Sequence, residues 1–172
     1  MTSDLIKTGP ASTLNSFSST LLNYFPELKI EEGRVWNEND EFAVGYSPGW
    51  GAGWQSWNSQ PIACRPGCVL LSLFLDKISY HEKEEFVKNL HLFLEEHSLY
   101  DQDAYIKDPL ETLASYLVRR DLGIDKTEHV CTLGFDEGLT IAWLPKGTRF
   151  KIDEYDGNES LQTEYDVDGW MS

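Results

Sequence analysis

Leu139 to Ser160, LTIAWLPKGTRFKIDEYDGNES, carries the pattern on which the fold turns. Within it Phe150 and Ile152 alternate with charged neighbours at the period of a half-buried strand, and two turn signals, Lys146-Gly147 and Asp156-Gly157-Asn158, break it into extended segments. Upstream, Val130 to Leu133 is a further short apolar run, followed by Phe135-Asp136-Glu137-Gly138 as a turn. The spacing predicts a hairpin and then a meander that closes with Ser160 to Val167.

Before Glu128 the period is helical instead. Asp108 at a cap position, Pro109 behind it, a stripe of Leu110, Leu113, Ala114 and Leu117, and Arg119-Arg120 before Gly123 frame a helix near 109–122. Ser79-Tyr80-His81-Glu82 is a capping box opening a second helix near 80–98. Its apolar stripe is Phe86, Leu90, Phe93, Leu94 and His97, and its other face carries Glu84, Glu85, Glu95 and Glu96. A third is expected near 13–25, where Leu14, Phe17, Leu21 and Phe25 recur at helical spacing before Pro26. Val69 to Leu75 is a continuous apolar run that fits a strand or a helix alike. Lys29 to Trp36 and Glu41 to Tyr46 read as short strands around Asn37-Glu38-Asn39-Asp40. The pattern therefore predicts an α+β fold: an antiparallel sheet of about five strands with about three helices packed on one face. Residues 1–11 read as a flexible leader and 12–172 as one domain.

One loop stands apart from these elements. Gly45 to Pro61, GYSPGWGAGWQSWNSQP, threads three tryptophans through four glycines, a costly composition unless the backbone needs positive φ or close approach. Trp54, amid the glycines, reads as a buried anchor, whereas Trp50 and Trp57 are candidates for a recognition surface. The glycines do not form a dinucleotide-binding turn, because no helix opens behind them to offer its N-terminus to a phosphate.

Acid–base chemistry has one candidate position, Asp153-Glu154-Tyr155-Asp156-Gly157-Asn158-Glu159. Carboxylates held together there could act as an acid and a base or bind a ligand; the alternative is a solvated turn. No metal or cofactor site is expected. Cys64 and Cys68 are four apart with only Cys131 remaining, which falls short of a four-ligand zinc site, and His91 with Glu95 is an ordinary one-turn pair. No nucleophile elbow, phosphate loop or HExxH helix occurs.

The segments Gly51-Ala52-Gly53-Trp54-Gln55-Ser56-Trp57-Asn58 and Leu144-Pro145-Lys146-Gly147-Thr148-Arg149-Phe150-Lys151-Ile152-Asp153-Glu154-Tyr155-Asp156-Gly157-Asn158-Glu159-Ser160 resemble a group of small uncharacterised phage and prophage proteins. Members of that group pair a GAGWxxWN loop with a KGTxFxIxEYDGxES strand and turn. The resemblance implies a phage or mobile-element setting and no particular activity.

Charge bounds the function. With 29 acidic against 14 basic residues the net charge is −15, which disfavours direct binding to a nucleic-acid backbone and favours encounter with basic partners. There is no secretory or bilayer-spanning apolar segment, and the odd cysteine count fits reduced thiols in a cytoplasm, the host's if the protein is phage-encoded. The sequence leads to a non-enzymatic, acidic interaction protein that docks on a basic site of a host macromolecule and inhibits it, mimicry of nucleic-acid charge being one form of such inhibition. The alternative is a small-ligand binder or hydrolase with a pocket between the tryptophan loop and the Asp153–Glu159 carboxylates. The sequence leaves the oligomeric state open.

Overall fold

A computed structural model describes residues 11–49, 53–100, 107–125, 130–135 and 138–165 of the chain. The fold is α+β: four helices pack together, beside a four-stranded antiparallel sheet and a separate two-stranded hairpin. The strands are β1 (Lys29–Glu31), β2 (Arg34–Trp36), β3 (Glu41–Tyr46), β4 (Thr140–Pro145), β5 (Phe150–Tyr155) and β6 (Asn158–Thr163). The helices are α1 (Phe17–Leu22), α2 (Pro66–Lys77), α3 (Tyr80–Glu96) and α4 (Pro109–Leu122).

The caps do what the sequence indicates. Ser79 accepts the Glu82 N–H while the Glu82 carboxylate accepts the Ser79 N–H, closing both halves of the box on α3. Asp108 accepts the Glu111 N–H at 2.9 Å on α4, whose far end is closed by Gly123 in the left-handed region (φ 65°). The ambiguous run at Val69 is helical. α2 has no side-chain cap of its own at Arg65; Asp121, reaching across from α4, accepts the Gly67 N–H at 2.8 Å. At Gly67 the two helices lie so close that a Cβ would come within 2.9 Å of the Leu117 Cβ. The expected helix near 13–25 divides into a 3-10 stretch, Ala11–Ser16, and α1.

The sheet runs in the order β1-β2-β3-β4, and β3 is its best-covered strand. Ala43 and Val35 face the main helical core, whereas Phe42, Val44, Trp36 and Leu144 face a second cluster roofed by Phe150, Ile152 and Leu161 of the hairpin. That double coverage is why Phe42 to Gly45 is buried at every position although strands alternate their side chains.

Two expectations about the C-terminal strands need correcting. Val130 to Leu133 does not pair with Leu139 to Leu144: β4 pairs with β3, almost a hundred residues earlier in the chain, in the register Phe42↔Leu144 and Val44↔Ala142. Cys131 is instead held by the side chain of Asn58, which takes both its N–H and its C=O. The turn at Lys146-Gly147 also sends β5 away from β4 and into a hairpin with β6 rather than into a continuous meander. Among the described residues no helix is long and apolar enough to cross a membrane.

Candidate functional site

The tryptophan loop is ordered by side chains that imitate backbone. The Gln55 carbonyl oxygen accepts the Ile62 and Ala63 N–H groups at 2.7 and 2.8 Å, and its amide donates to the Gln60 carbonyl. The Asn58 amide nitrogen donates to the carbonyls of Trp54 and Cys131, at 2.7 and 2.8 Å, while its oxygen accepts the Cys131 N–H at 2.7 Å. These bonds satisfy main-chain groups that a loop would otherwise leave to water. Neither residue stood out in the sequence; the signal available was two amide side chains inside a glycine–tryptophan run.

Trp54 is 0 % exposed and packs on Phe135, ring centroids 5.7 Å apart. Its indole N–H has no hydrogen-bond partner among the described residues. Gly134 lets the loop seat, because a Cβ there would stand 2.5 Å from the Gly53 carbonyl oxygen. Trp57 is 39 % exposed, and its indole lies so close over Gly53 that a Cβ at that position would fall 2.6 Å from the Trp57 Cδ1. The division between a buried Trp54 and a surface Trp57 matches the sequence expectation. Trp50 lies outside the described residues.

Glu159 joins this loop to the hairpin. It is 2 % exposed, and its two carboxylate oxygens accept the Ser47 N–H at 2.9 Å and the Ser56 N–H at 2.6 Å. Its own N–H donates to the Ser47 carbonyl at 2.7 Å. The two segments quoted above for the resemblance thus touch through one buried carboxylate, more than a hundred residues from either of its partners along the chain. Glu159 is thus a positioning group for the loop rather than a surface contact.

The other carboxylates of the turn are placed differently. Asp156 and Gly157 form the two-residue connection between β5 and β6, both with positive φ (48° and 83°), as a type I′ hairpin requires, and Glu154 accepts the Gly157 N–H at 2.7 Å. Asp153 pairs with Lys151 at 3.5 Å, and Tyr155 is 75 % exposed beside the exposed Asp156. Glu154 stands opposite Glu159 in the hairpin register; Glu154 accepts one main-chain N–H, that of Gly157, whereas Glu159 accepts two, those of Ser47 and Ser56.

On α3 the four glutamates Glu84, Glu85, Glu95 and Glu96 are all exposed, opposite the face that buries Phe86, Leu90, Phe93 and Leu94. Glu95 stands 3.5 Å from His91, whose other ring nitrogen meets the Tyr100 hydroxyl at 2.7 Å; burial, then Glu95 and Asp108, push that hydroxyl up to about 12. Leu92, 55 % exposed, lies on α3 among these charges. The buried thiols of Cys64 and Cys68 are both raised by burial, so they stay protonated and unreactive at neutral pH. No group of three metal-ligating side chains occurs among the described residues. Among the described residues, one cavity lies beside the end of α4 and another beside the end of α3. Comparison with known protein families, with curated proteins and with solved structures gives no match to this chain.

Proposed function

We propose that this protein is a non-enzymatic interaction module that uses its acidic surface to dock on a basic site of a host macromolecule and block it. The observation carrying this reading is the uncompensated charge on α3. Ion pairs among the described residues engage Glu31, Glu95, Asp153 and Glu164, but none engages Glu84, Glu85 or Glu96. The helix needs only its inner face for the core, so these outer carboxylates contribute little to folding. Charge of this kind accelerates encounter with a basic partner. Trp57 and Tyr155, held at the surface of rigid supports, supply aromatic contact area of the sort that anchors interfaces. The setting that the resemblance implies, a phage or mobile element, fits an inhibitor of a host component. The pocket reading, which drew on the Asp153–Glu159 carboxylates, has less support, because one of them, Glu159, is occupied by the Ser47 and Ser56 N–H groups.

The experiment is a capture of partners from host cytoplasm on the immobilised protein, with the partners identified. A stoichiometric basic partner retained by the native chain and lost with Glu84→Gln, Glu85→Gln, Glu95→Gln and Glu96→Gln combined supports the proposal. A partner retained equally by that variant removes α3 from the interface.

A further inference from the structure

The two edges of the four-stranded sheet are built differently. β1 is three residues long and carries Lys29 and Glu31, the short and charged form that keeps an edge from pairing. β4 lacks that guard. It pairs with β3 in unbroken register from Thr140 to Pro145, without a bulge, and Leu139 to Leu144 contains no charged side chain in a chain of net charge −15.

The register fixes which main-chain groups of β4 face outward. The Asn37 N–H donates to the Glu41 carbonyl and the Gly45 N–H to the Ala63 carbonyl, so Glu41, Ala43 and Gly45 turn their main-chain groups away from β4. Phe42, Val44 and Tyr46 therefore bond Leu144, Ala142 and Thr140. Ile141 and Trp143 are left with N–H and C=O pointing out of the sheet, and these groups have no partner among the described residues. The outward row stops on both sides of them. Pro145 has no N–H and its carbonyl accepts from Thr148, while the Leu139 carbonyl accepts from the Ser72 hydroxyl at 3.3 Å.

We infer that β4 pairs antiparallel with β4 of a second copy of this chain, about a twofold axis at Ala142, joining the two sheets into one. In that register Ile141 stands opposite the partner's Trp143 and Trp143 opposite the partner's Ile141, each pair exchanging two main-chain hydrogen bonds, so every outward group is satisfied. An axis at Ile141 or Trp143 fails, because it sets Trp143 against the partner's Leu139 or Ile141 against the partner's Pro145, whose carbonyls are already engaged. Charge selects the same occupant: a basic strand meets no acidic side chain on β4, whereas two copies meet there without like charges opposed. Ile141 and Trp143, half-buried where they lean on the helical core, become a β-branched and aromatic cross-strand pair that covers their remaining exposed surface. The ladder is short, so the dimer forms by mass action at high concentration. It rests on no part of the reading of α3.

The test is sedimentation equilibrium and amide hydrogen exchange on the full chain over a concentration series reaching about 1 mM. The mass should rise from one 19.7 kDa chain towards two, and exchange at the Ile141 and Trp143 amides should slow in parallel by at least about tenfold. Ala142→Lys and Ala142→Asp should each be monomeric alone, because like charges meet at the axis, and an equimolar mixture of the two should recover the dimer. Should either substitution unfold the chain, the native concentration series still decides. A monomer at every concentration, a dimer whose two amides stay unprotected, or both amides already protected in the monomer overturns the inference. So do folded variants that dimerise alone or whose mixture stays monomeric.

Discussion

Trp54 and Trp57 sit three residues apart in one loop, yet their energetic roles are opposite, and the difference follows from what lies against each ring. Trp54 is enclosed and meets Phe135, so Trp54→Ala should cost about 3–5 kcal/mol in urea unfolding. Trp57→Ala removes a ring that already faces solvent and should cost less than about 1 kcal/mol while weakening partner capture. Equal losses of stability would mean that both rings are roofing for the core. This contrast was expected from the sequence because Trp54 follows the glycine cluster, whereas Trp57 lies three residues beyond it. The part played by Glu159 was not: its partners lie 112 and 103 positions away, and a carboxylate in an Asp-Gly turn segment ordinarily faces water. Glu159→Gln puts an NH₂ where one oxygen accepted a buried N–H, which should cost about 1–3 kcal/mol. Hydrogen exchange should quicken at Ser47 and Ser56 in that variant; unchanged protection at both amides would show that the loop holds without the carboxylate.

Among the elements, those whose ends are written in local chemistry were legible and those defined by distant partners were not. α3 and α4 begin and end where their caps lie, since a cap needs only residues within one turn. α2 was ambiguous because its apolar run suits either period and its N-terminal partner, Asp121, belongs to another helix. Val130 to Leu133 has the composition of a strand but lost its place when β3 took β4 as a partner and Asn58 took Cys131. The cap that Asp121 gives α2 carries a signature in pH. Burial raises its carboxyl above the ordinary 3.8, against the lowering effects of the Gly67 N–H, Arg65 and Arg120. The folded state therefore binds this proton more readily than the unfolded chain. The penalty for ionising Asp121 is fully present above its folded value and is relieved as pH falls towards 3.8. Glu82 has the opposite sign: the Ser79 backbone N–H, chiefly, lowers it below 4.5, so its stabilisation is present above that value and lost in acid. In urea unfolding between about pH 4 and pH 7, Asp121→Asn should lose ground to the native chain as pH falls, because it lacks the relief. A stability difference that stays constant across that range would refute the assignment.

At the scale of the whole molecule, the class was legible from the change of period along the chain, and the net charge of −15 remains the property that most constrains how the protein meets a partner. Folding uses little of that charge: the core is apolar, and ion pairs such as Lys29–Glu31 and Lys151–Asp153 lie at the surface. Two consequences can be separated by salt. Exposed charges are screened over a Debye length of about 8 Å at physiological ionic strength, so the association rate with a captured basic partner should fall steeply across a roughly tenfold rise in salt. Stability should change little over the same range, since core burial and main-chain bonds such as those of Glu159 are shielded from the ions. Neutralising Glu84, Glu85, Glu95 and Glu96 together, and Asp153 with Asp156 separately, then locates the steering charge. Neutralising the cluster that steers should lower the on-rate and flatten its salt dependence, while the off-rate moves less because the four glutamates and Asp156 are exposed and Asp153 is half-exposed rather than desolvated. Glu159 is left out of the second set deliberately, since its loss would loosen the tryptophan loop and confuse steering with folding. An affinity that stays flat across that salt range, with the native chain and both variants alike, would make −15 a solubility device and would leave Trp57 and Tyr155 as the contacts to pursue.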